Sequence, residues 1–228
     1  MKLILLGLPI GNAGDVSSRA IRTLSEAKLI ICEDTRVLHS LWQKLMNIGL
    51  AKEKLAAKVR VINDFNEKLR VGSLVAEIAE ADEAVLVSDA GMPVISDPGY
   101  NLVKGVLAAG GEISVVPGPD AAMSAVAVSG FPADKVMYLG FLPKKTGKRR
   151  QTLEMVKQLS GVTVVIYEGP GRIVKLIDEV ETIFGEVEMA LCNDLTKVSE
   201  KVWRGKTGEV KEKLPEKLHG EWVVVARI

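Results

Sequence analysis

The feature that most constrains the fold is a set of short apolar runs that do not alternate: LILLGL (3–8), LIIC (29–32), AVLVS (84–88) and ISVV (113–116). A strand with one wet face alternates apolar and polar residues. A strand that is apolar throughout must be covered on both faces, the condition of a parallel sheet packed between helices. VRVI (59–62) adds a more polar member. Between these runs lie segments at helical spacing: DVSSRAIRTLSEA (15–27) with Asp15 as its expected N-cap, residues 35–47, KLRVGSLVAEIAEA (68–81) and YNLVKGVLAAG (100–110). The pattern predicts an N-terminal α/β domain with a mostly parallel sheet over residues 1–116.

Residues 117–228 read differently. A helix is expected at 120–128, followed by KVMYLGFL, a polar helix near 148–160, VTVVIYE (162–168), a helix near 172–184 and VEMALCN. EKVWRG and EWVVVARI close the chain at short spacing. Closely spaced strands favour an antiparallel or mixed sheet, so a second α/β domain with a mixed sheet is expected, joined to the first at VVPGP.

Hydrophobic residues make up 47% of the 228, enough for a sizeable core, and the formal net charge of +1 supplies no global field toward nucleic acid or membrane. Any basic site must be local. Cys32 and Cys192 lie far apart in apolar runs, which reads as two buried free thiols in a reducing compartment. There is no CxxC, and His39 and His219 stand alone, so no protein-bound metal is expected. The apolar start MKLILLGL is too short for a membrane span, which needs about 20 residues. A cytoplasmic, soluble protein is the expectation.

Four strand ends run into Gly/Pro-rich loops: LGLPIGN, LVSDAGMP, VVPGPDAA and VIYEGPGR. Ligands of open α/β sheets collect outside the carboxyl ends of the strands, where glycine lets backbone come close. Neither GxGxxG nor GxxxxGK[ST] occurs. The loops offer amides, carbonyls and a few carboxylates but hardly a cation. Such a lining suits a ligand with a sugar, a flat base and no phosphates, and S-adenosylmethionine fits that description.

The run FLPKKTGKRR gathers Lys144, Lys145, Lys148, Arg149 and Arg150 at or before a helix start. Cations there oppose the helix dipole, and a bound polyanion would relieve the conflict. CEDTRV places Glu33, Asp34 and Arg36 just past a buried strand, NDFNE (63–67) follows the next one, and LCNDLTKVSE carries Asp194, Thr196 and Lys197 past another. An N-cap with a surface ion pair accounts for CEDTRV equally well.

The strings PIGN, EDTR, VSDAGMPVISDPGY, VPGPDAA, GFLPKKTGKRR, YEGPGR and LTK, in this order over nearly the whole chain, resemble the tetrapyrrole methylase superfamily. They are most similar to its small-subunit ribosomal RNA methyltransferases, which methylate the ribose 2′-hydroxyl of a cytidine in 16S rRNA from S-adenosylmethionine. The resemblance implies two α/β domains with the cofactor in the cleft between them, a homodimer, and 16S rRNA or the 30S subunit as partner. Carried onto this chain, it puts cofactor contacts at Pro9, Asp89, Ala90, Gly91, Met92, Asp120, Ala121, Ala122, Tyr167 or Glu168, and Leu195. The KKTGKRR run becomes an RNA-backbone contact. NDFNE stands where the family often has HEHNE, and EGPGR where it often has ESPHR, so the family's histidines are missing.

Without those histidines, the groups able to orient or deprotonate a ribose hydroxyl are Glu33, Asp34, Glu67, Glu168 and Lys197. The acids Glu33 and Asp34 are the leading pair, with Arg36 and Arg172 on phosphate. Of the doubled turn in SDAGMPVISDPG, Asp89 is expected to serve the cofactor and Asp97 to cap the helix beginning near Tyr100. Two other readings remain open: a superfamily methyltransferase acting on a porphyrinoid or other small substrate, and a non-catalytic RNA-binding module.

Overall fold

A computed structural model describes all 228 residues, which divide into two compact units, Met1–Asp120 and Ala121–Ile228. In the first unit the elements run β1 (Lys2–Leu6), α1 (Ser18–Glu26), β2 (Leu29–Cys32), α2 (Thr35–Asn47), β3 (Lys58–Val61), α3 (Glu67–Ala81), β4 (Glu83–Leu86), α4 (Tyr100–Ala108) and β5 (Glu112–Val116). The strands form one sheet in the order β3-β2-β4-β1-β5, every pair parallel.

Side chains alternate across the strands, and both sets are apolar. Ile4, Leu6, Ile30, Cys32 and Val85 pack with Leu24, Leu38 and Trp42 of α1 and α2. Leu3, Leu29, Ile31, Ala84 and Leu86 pack with Leu74, Ile78, Leu102 and Val106 of α3 and α4. The chain steps outward from β1 to β3 and then returns through β4 to β5. Because parallel crossovers are right-handed, reversing the direction of travel moves the helices to the other face. The reversal makes a switch point at neighbouring β1 and β4, where a crevice opens outside the strand ends. The cap of α1 is Ser17, whose hydroxyl accepts the Ala20 N–H at 3.0 Å. Asp15, the expected cap, instead lies in a 3₁₀ turn, Ala13–Asp15, ahead of the helix.

The second unit contains α5 (Ala121–Ser129), β6 (Val136–Phe141), α6 (Thr146–Val156), β7 (Thr163–Glu168), α7 (Ile173–Phe184), β8 (Glu188–Asn193), β9 (Lys201–Lys206), α8 (Thr207–Glu212) and β10 (Trp222–Arg227). Its sheet has the order β6-β7-β10-β8-β9; β6 and β7 are parallel and the other pairs antiparallel. The mixed sheet is as expected, while α8 fills the 207–212 stretch where no helix was foreseen. One face packs on Leu153, Leu176, Ile177, Val180 and Val210 of α6, α7 and α8.

No helix is long and apolar enough to cross a membrane. Cys32 and Cys192 are buried and free, and burial first of all pushes each thiol up to about 12.

Candidate active site

In the first unit three of the Gly/Pro loops meet at the switch point. Beyond β1, the Gly7 N–H donates to Val116 O at 3.0 Å, and Leu8 and Gly91 exchange backbone bonds at 2.8 and 3.1 Å. A Cβ on Gly118 would lie 2.6 Å from the Gly7 carbonyl carbon, and one on Gly7 would lie 2.6 Å from Met92 Sδ. Gly7 and Gly118 therefore permit the β1 and β5 loops to touch, and Met92 packs beneath them. Gly91 has φ +72°, in the region that favours glycine. This contact also explains why Pro117–Asp120 belongs with the first unit.

The β4 loop is tied to the β2 loop by Asp89, whose Oδ1 accepts the Asp34 N–H at 3.1 Å. Asp34 caps α2, taking the Arg36 N–H at 2.8 Å and Arg36 Nε at 3.0 Å. Those bonds hold its carboxyl down at about 2, so Asp34 is an ionised cap with no tendency to accept a further proton. Its neighbour Glu33 differs. Half-burial, reinforced by the fields of Asp89, Asp97, Asp64 and Asp34, lifts its carboxyl to about 7. Burial likewise raises Asp89, and raises Asp97 to about 6 against the pull of the Ser88 hydroxyl. The strand ends thus carry four mutually repelling acids, an environment that a cationic ligand would relieve.

Asp97 does not cap α4. The helix starts from Gly99, two residues beyond it, and Gly99 has no side chain to offer. Glu67, buried at the start of α3, does the capping from across the unit: Oε1 accepts the N–H of Gly99 at 3.1 Å and of Asn101 at 2.7 Å, and Oε2 accepts Asn101 Nδ2 at 2.9 Å. Glu67 thereby leaves the set of possible bases.

A pocket of about 340 Å³ lies beside the switch point, walled by Pro9, Ile10 and Ala13 on one side and Val37 and Leu41 of α2 on the other, with Ala90 at its edge. Arg36 and Asp89 also line it, as do Ser40 and Lys44, which the sequence reading did not single out. Their spacing from Arg36, i+4 and i+8, is the signal that marks a common helix face. No three His, Cys, Asp or Glu side chains converge in a way that could hold a metal ion.

In the second unit, Lys144, Lys145, Lys148 and Arg150 are exposed at the start of α6. Arg149 is not part of that surface. It is 1% exposed, in helical phase with buried Leu153 and Val156, and pairs with Glu168 at 3.1 Å and with Glu179. It cannot reach an RNA backbone from there. Glu168, 2% exposed at the end of β7, is equally committed: its Oε1 accepts the Gly169 N–H at 2.8 Å and Arg172 Nε at 2.7 Å, and its Oε2 is ion-paired with Arg149 at 3.1 Å. A carboxylate with three cationic or amide partners is a loop anchor and is unavailable to an acceptor hydroxyl.

Arg172 keeps about a third of its side chain exposed while bound to Glu168. Tyr167 stacks edge-on with Tyr138 and Phe141, centroids 5.3 and 5.5 Å apart. Leu195 is buried between Asp194 and Thr196, both at positive φ. Lys197 bonds Asp194 at 3.0 Å and Glu221 at 3.1 Å. Burial works to lower its ammonium, but these hydrogen bonds outweigh it and hold it above its ordinary value, so it cannot act as a base. Ala122 is buried in α5, and Asp120 and Ala121 stand half-buried at the junction of the units.

A parallel sheet with a switch-point crevice, followed by a mixed sheet with its own strand-end loops, defines a two-unit α/β protein with its candidate site at the strand ends. The chain belongs to the Tetrapyrrole (Corrin/Porphyrin) Methylases, whose family profile matches residues 2–211. Within that family it falls among the ribosomal RNA small subunit methyltransferases I. It is 40% identical to the protein of that name from Thermotoga maritima over 208 residues, 91% of this chain and 89% of the relative. It is 34% identical to the one from Escherichia coli O157:H7 over 210 residues, 92% of this chain and 70% of the relative. Among solved structures, uroporphyrin-III C-methyl transferase from Thermus thermophilus complexed with S-adenyl homocysteine shares the fold. Its TM-score is 0.66 at 18% identity, covering 99% of this chain and 97% of that one. The methyltransferase CobJ does so with a TM-score of 0.70 at 16% identity, covering 99% and 93%.

Proposed function

We propose that this chain transfers a methyl group from S-adenosylmethionine to the ribose 2′-hydroxyl of a cytidine in 16S rRNA. The observation that carries the reading is Glu33: a half-buried carboxyl lifted to about 7 at the carboxyl end of β2, in a chain whose relatives are named for ribosomal RNA methylation. A general base works best when its pKa lies near the operating pH. The repelling acids of the β2 and β4 ends fit a cofactor that bears a sulfonium and an ammonium group. When bound, that cofactor supplies an electrophilic methyl carbon. The residues assigned to it are Pro9, Asp89, Ala90, Gly91, Met92 and Asp120 in the first unit, and Ala121, Ala122, Tyr167 and Leu195 in the second.

In the mechanism Glu33 accepts the proton of the ribose hydroxyl, and the Asp89–Asp34 bond holds the Glu33 backbone in place. Asp34 acts only through this positioning. Arg36, Arg172 and the exposed Lys144, Lys145, Lys148 and Arg150 bind phosphates. Such contacts fix the position of the RNA and carry no sequence information.

A homodimer is proposed as the working form. It is supported by the large apolar side chains left in water near the starts of α3 and α4: Phe65 is 95% exposed, Leu69 87% and Tyr100 63%. Acting on the small ribosomal subunit, the protein works in the cytoplasm.

The test is incubation of the purified protein with labelled S-adenosylmethionine and 30S subunits lacking ribose methylation, with the label mapped. Label on one cytidine ribose is the expected result. Cofactor binding without transfer to 16S rRNA, together with transfer to a tetrapyrrole, would overturn the assignment.

A further inference from the structure

We propose that the first-unit pocket seats a single unstacked nucleotide of the RNA, its base against the apolar walls and its phosphate on Lys44 with Arg36. The inference rests on the RNA methyltransferase reading above and gives that substrate an address.

Helix α2 has a fixed orientation because Leu38, Trp42 and Leu45 are locked into the core. The opposite face must therefore present Arg36, Ser40 and Lys44 in one line at i, i+4 and i+8, as a polar stripe along the pocket. Beside it Val37 and Leu41 face Pro9 and Ile10, which makes an apolar slot bordered by a row of donors. A flat base with a phosphate at its rim needs that combination. RNA read by proteins typically offers it in loops whose bases are splayed out, and enzymes acting on a nucleotide take it out of the stack.

The cations suit the part. Arg36 gives Nε and Nη2 to Asp34, yet its side chain is 89% exposed, and Nη1 remains to face a phosphate. Lys44 is exposed and forms no ion pair. At about 340 Å³ the pocket stands at the low end for small-molecule sites. It has room for one base with its ribose.

The experiment compares the parent protein with Lys44→Glu, Lys44→Arg and Ser40→Trp. It reads the anisotropy of a labelled single-stranded oligoribonucleotide across a salt series, methylation of 30S subunits, S-adenosylmethionine affinity by calorimetry, and Tm. Lys44→Glu is expected to weaken the oligoribonucleotide about tenfold at low salt and to lower the salt slope by about 1. Lys44→Arg should restore both. Ser40→Trp, which fills the slot from an exposed position, should cut kcat/KM for the subunits by about tenfold or more. Cofactor affinity should hold in both Lys44 variants; Lys44→Glu, which places an acid in the last turn of α2, should lower Tm by no more than about 4 °C, and the other two should keep the parent's Tm.

Lys44→Glu and Ser40→Trp proteins that bind and methylate like the parent would overturn the proposal. So would loss of cofactor affinity in their place, which would make the pocket the cofactor's. A parent that binds the oligoribonucleotide through Lys44 but never labels 30S subunits would sink the enzymatic reading and keep the pocket. A parent that labels them, with unaffected variants, would do the reverse.

Discussion

Replacing Glu67 by Ala should be among the most damaging single changes in the first unit, although the residue touches no ligand. Its carboxylate holds the Asn101 N–H at 2.7 Å, the Gly99 N–H at 3.1 Å and the Asn101 side-chain amide at 2.9 Å. A hydrogen bond to a charged group contributes about 1.5 kcal/mol net, and a carboxylate at a helix N-terminus adds roughly 0.5–1 kcal/mol. Because Asn101 is only half-buried, water can recover part of the loss. The expected cost is therefore about 3 kcal/mol. If both units unfold together, a loss of that size lowers Tm by about 6–12 °C.

Glu67→Gln keeps one acceptor oxygen and should lose roughly half as much. Asp97→Asn is the control. Its carboxyl is raised to about 6, mainly by burial, so the fold disfavours its ionised form. Removing the charge should stabilise the protein at pH 7 by of order 1 kcal/mol after allowance for solvent screening, an advantage that fades as pH falls from 6 toward 4. Thermal and urea unfolding at pH 7 read all three. A Glu67→Ala protein within 0.5 kcal/mol of the parent, beside an Asp97→Asn protein that loses about 1 kcal/mol, would refute the reassigned cap.

Other outcomes follow from the same contacts. Arg149→Met removes the cation that buried Glu168 and half-buried Glu179 share, leaving Glu168 with Arg172 and the Gly169 N–H, and should cost about 3 kcal/mol. Alanine at Lys144, Lys145 or Lys148 should leave Tm alone and reduce the salt slope of RNA binding by about 1 each; melting curves and a salt titration separate the two classes. Methyl transfer should rise with pH through about 7 as Glu33 ionises, and Glu33→Gln should lose that limb with a drop of about 10²–10⁴ in rate. Since the folded Glu33 binds its proton more tightly than the unfolded one, stability declines as pH climbs from about 4.5 to 7, and Glu33→Gln should lessen that decline in a Tm-against-pH series, leaving the part that Asp97 contributes below about 6. Gly118→Ala drives a Cβ to 2.6 Å from Gly7 backbone; cofactor affinity by calorimetry should fall as the β1 and β5 loops part. Phe65→Asp with Leu69→Asp should yield monomers by light scattering if the exposed apolar patch is a dimer face.

Much of this architecture was legible in the chain. Uninterrupted apolar runs at 3–8, 29–32 and 84–88 admit only strands covered on both faces, and the helical spacing between them supplies the cover. The strand-end address of Glu33 and Asp89 came from the same local pattern. Such periodicity is a short-range property, so a sequence carries it whole.

The allocation of charges is different in kind. Arg149 stands in KKTGKRR beside four cations that remain in water, and only its phase with Leu153 and Val156 turns it inward to Glu168 and Glu179. Asp97 stood nearest the α4 start in sequence, but the cap comes from Glu67, more than thirty residues earlier. Asp34 and Glu33 are adjacent in the chain, yet one is held near 2 by Arg36 and the other near 7 by burial and surrounding acids. Sequence by itself determined the layers, the strand ends and the kinds of group gathered there. Tertiary structure decided which of those groups are spent on one another and which stay available for chemistry, because hydrogen bonding and desolvation depend on neighbours that the fold alone brings within reach.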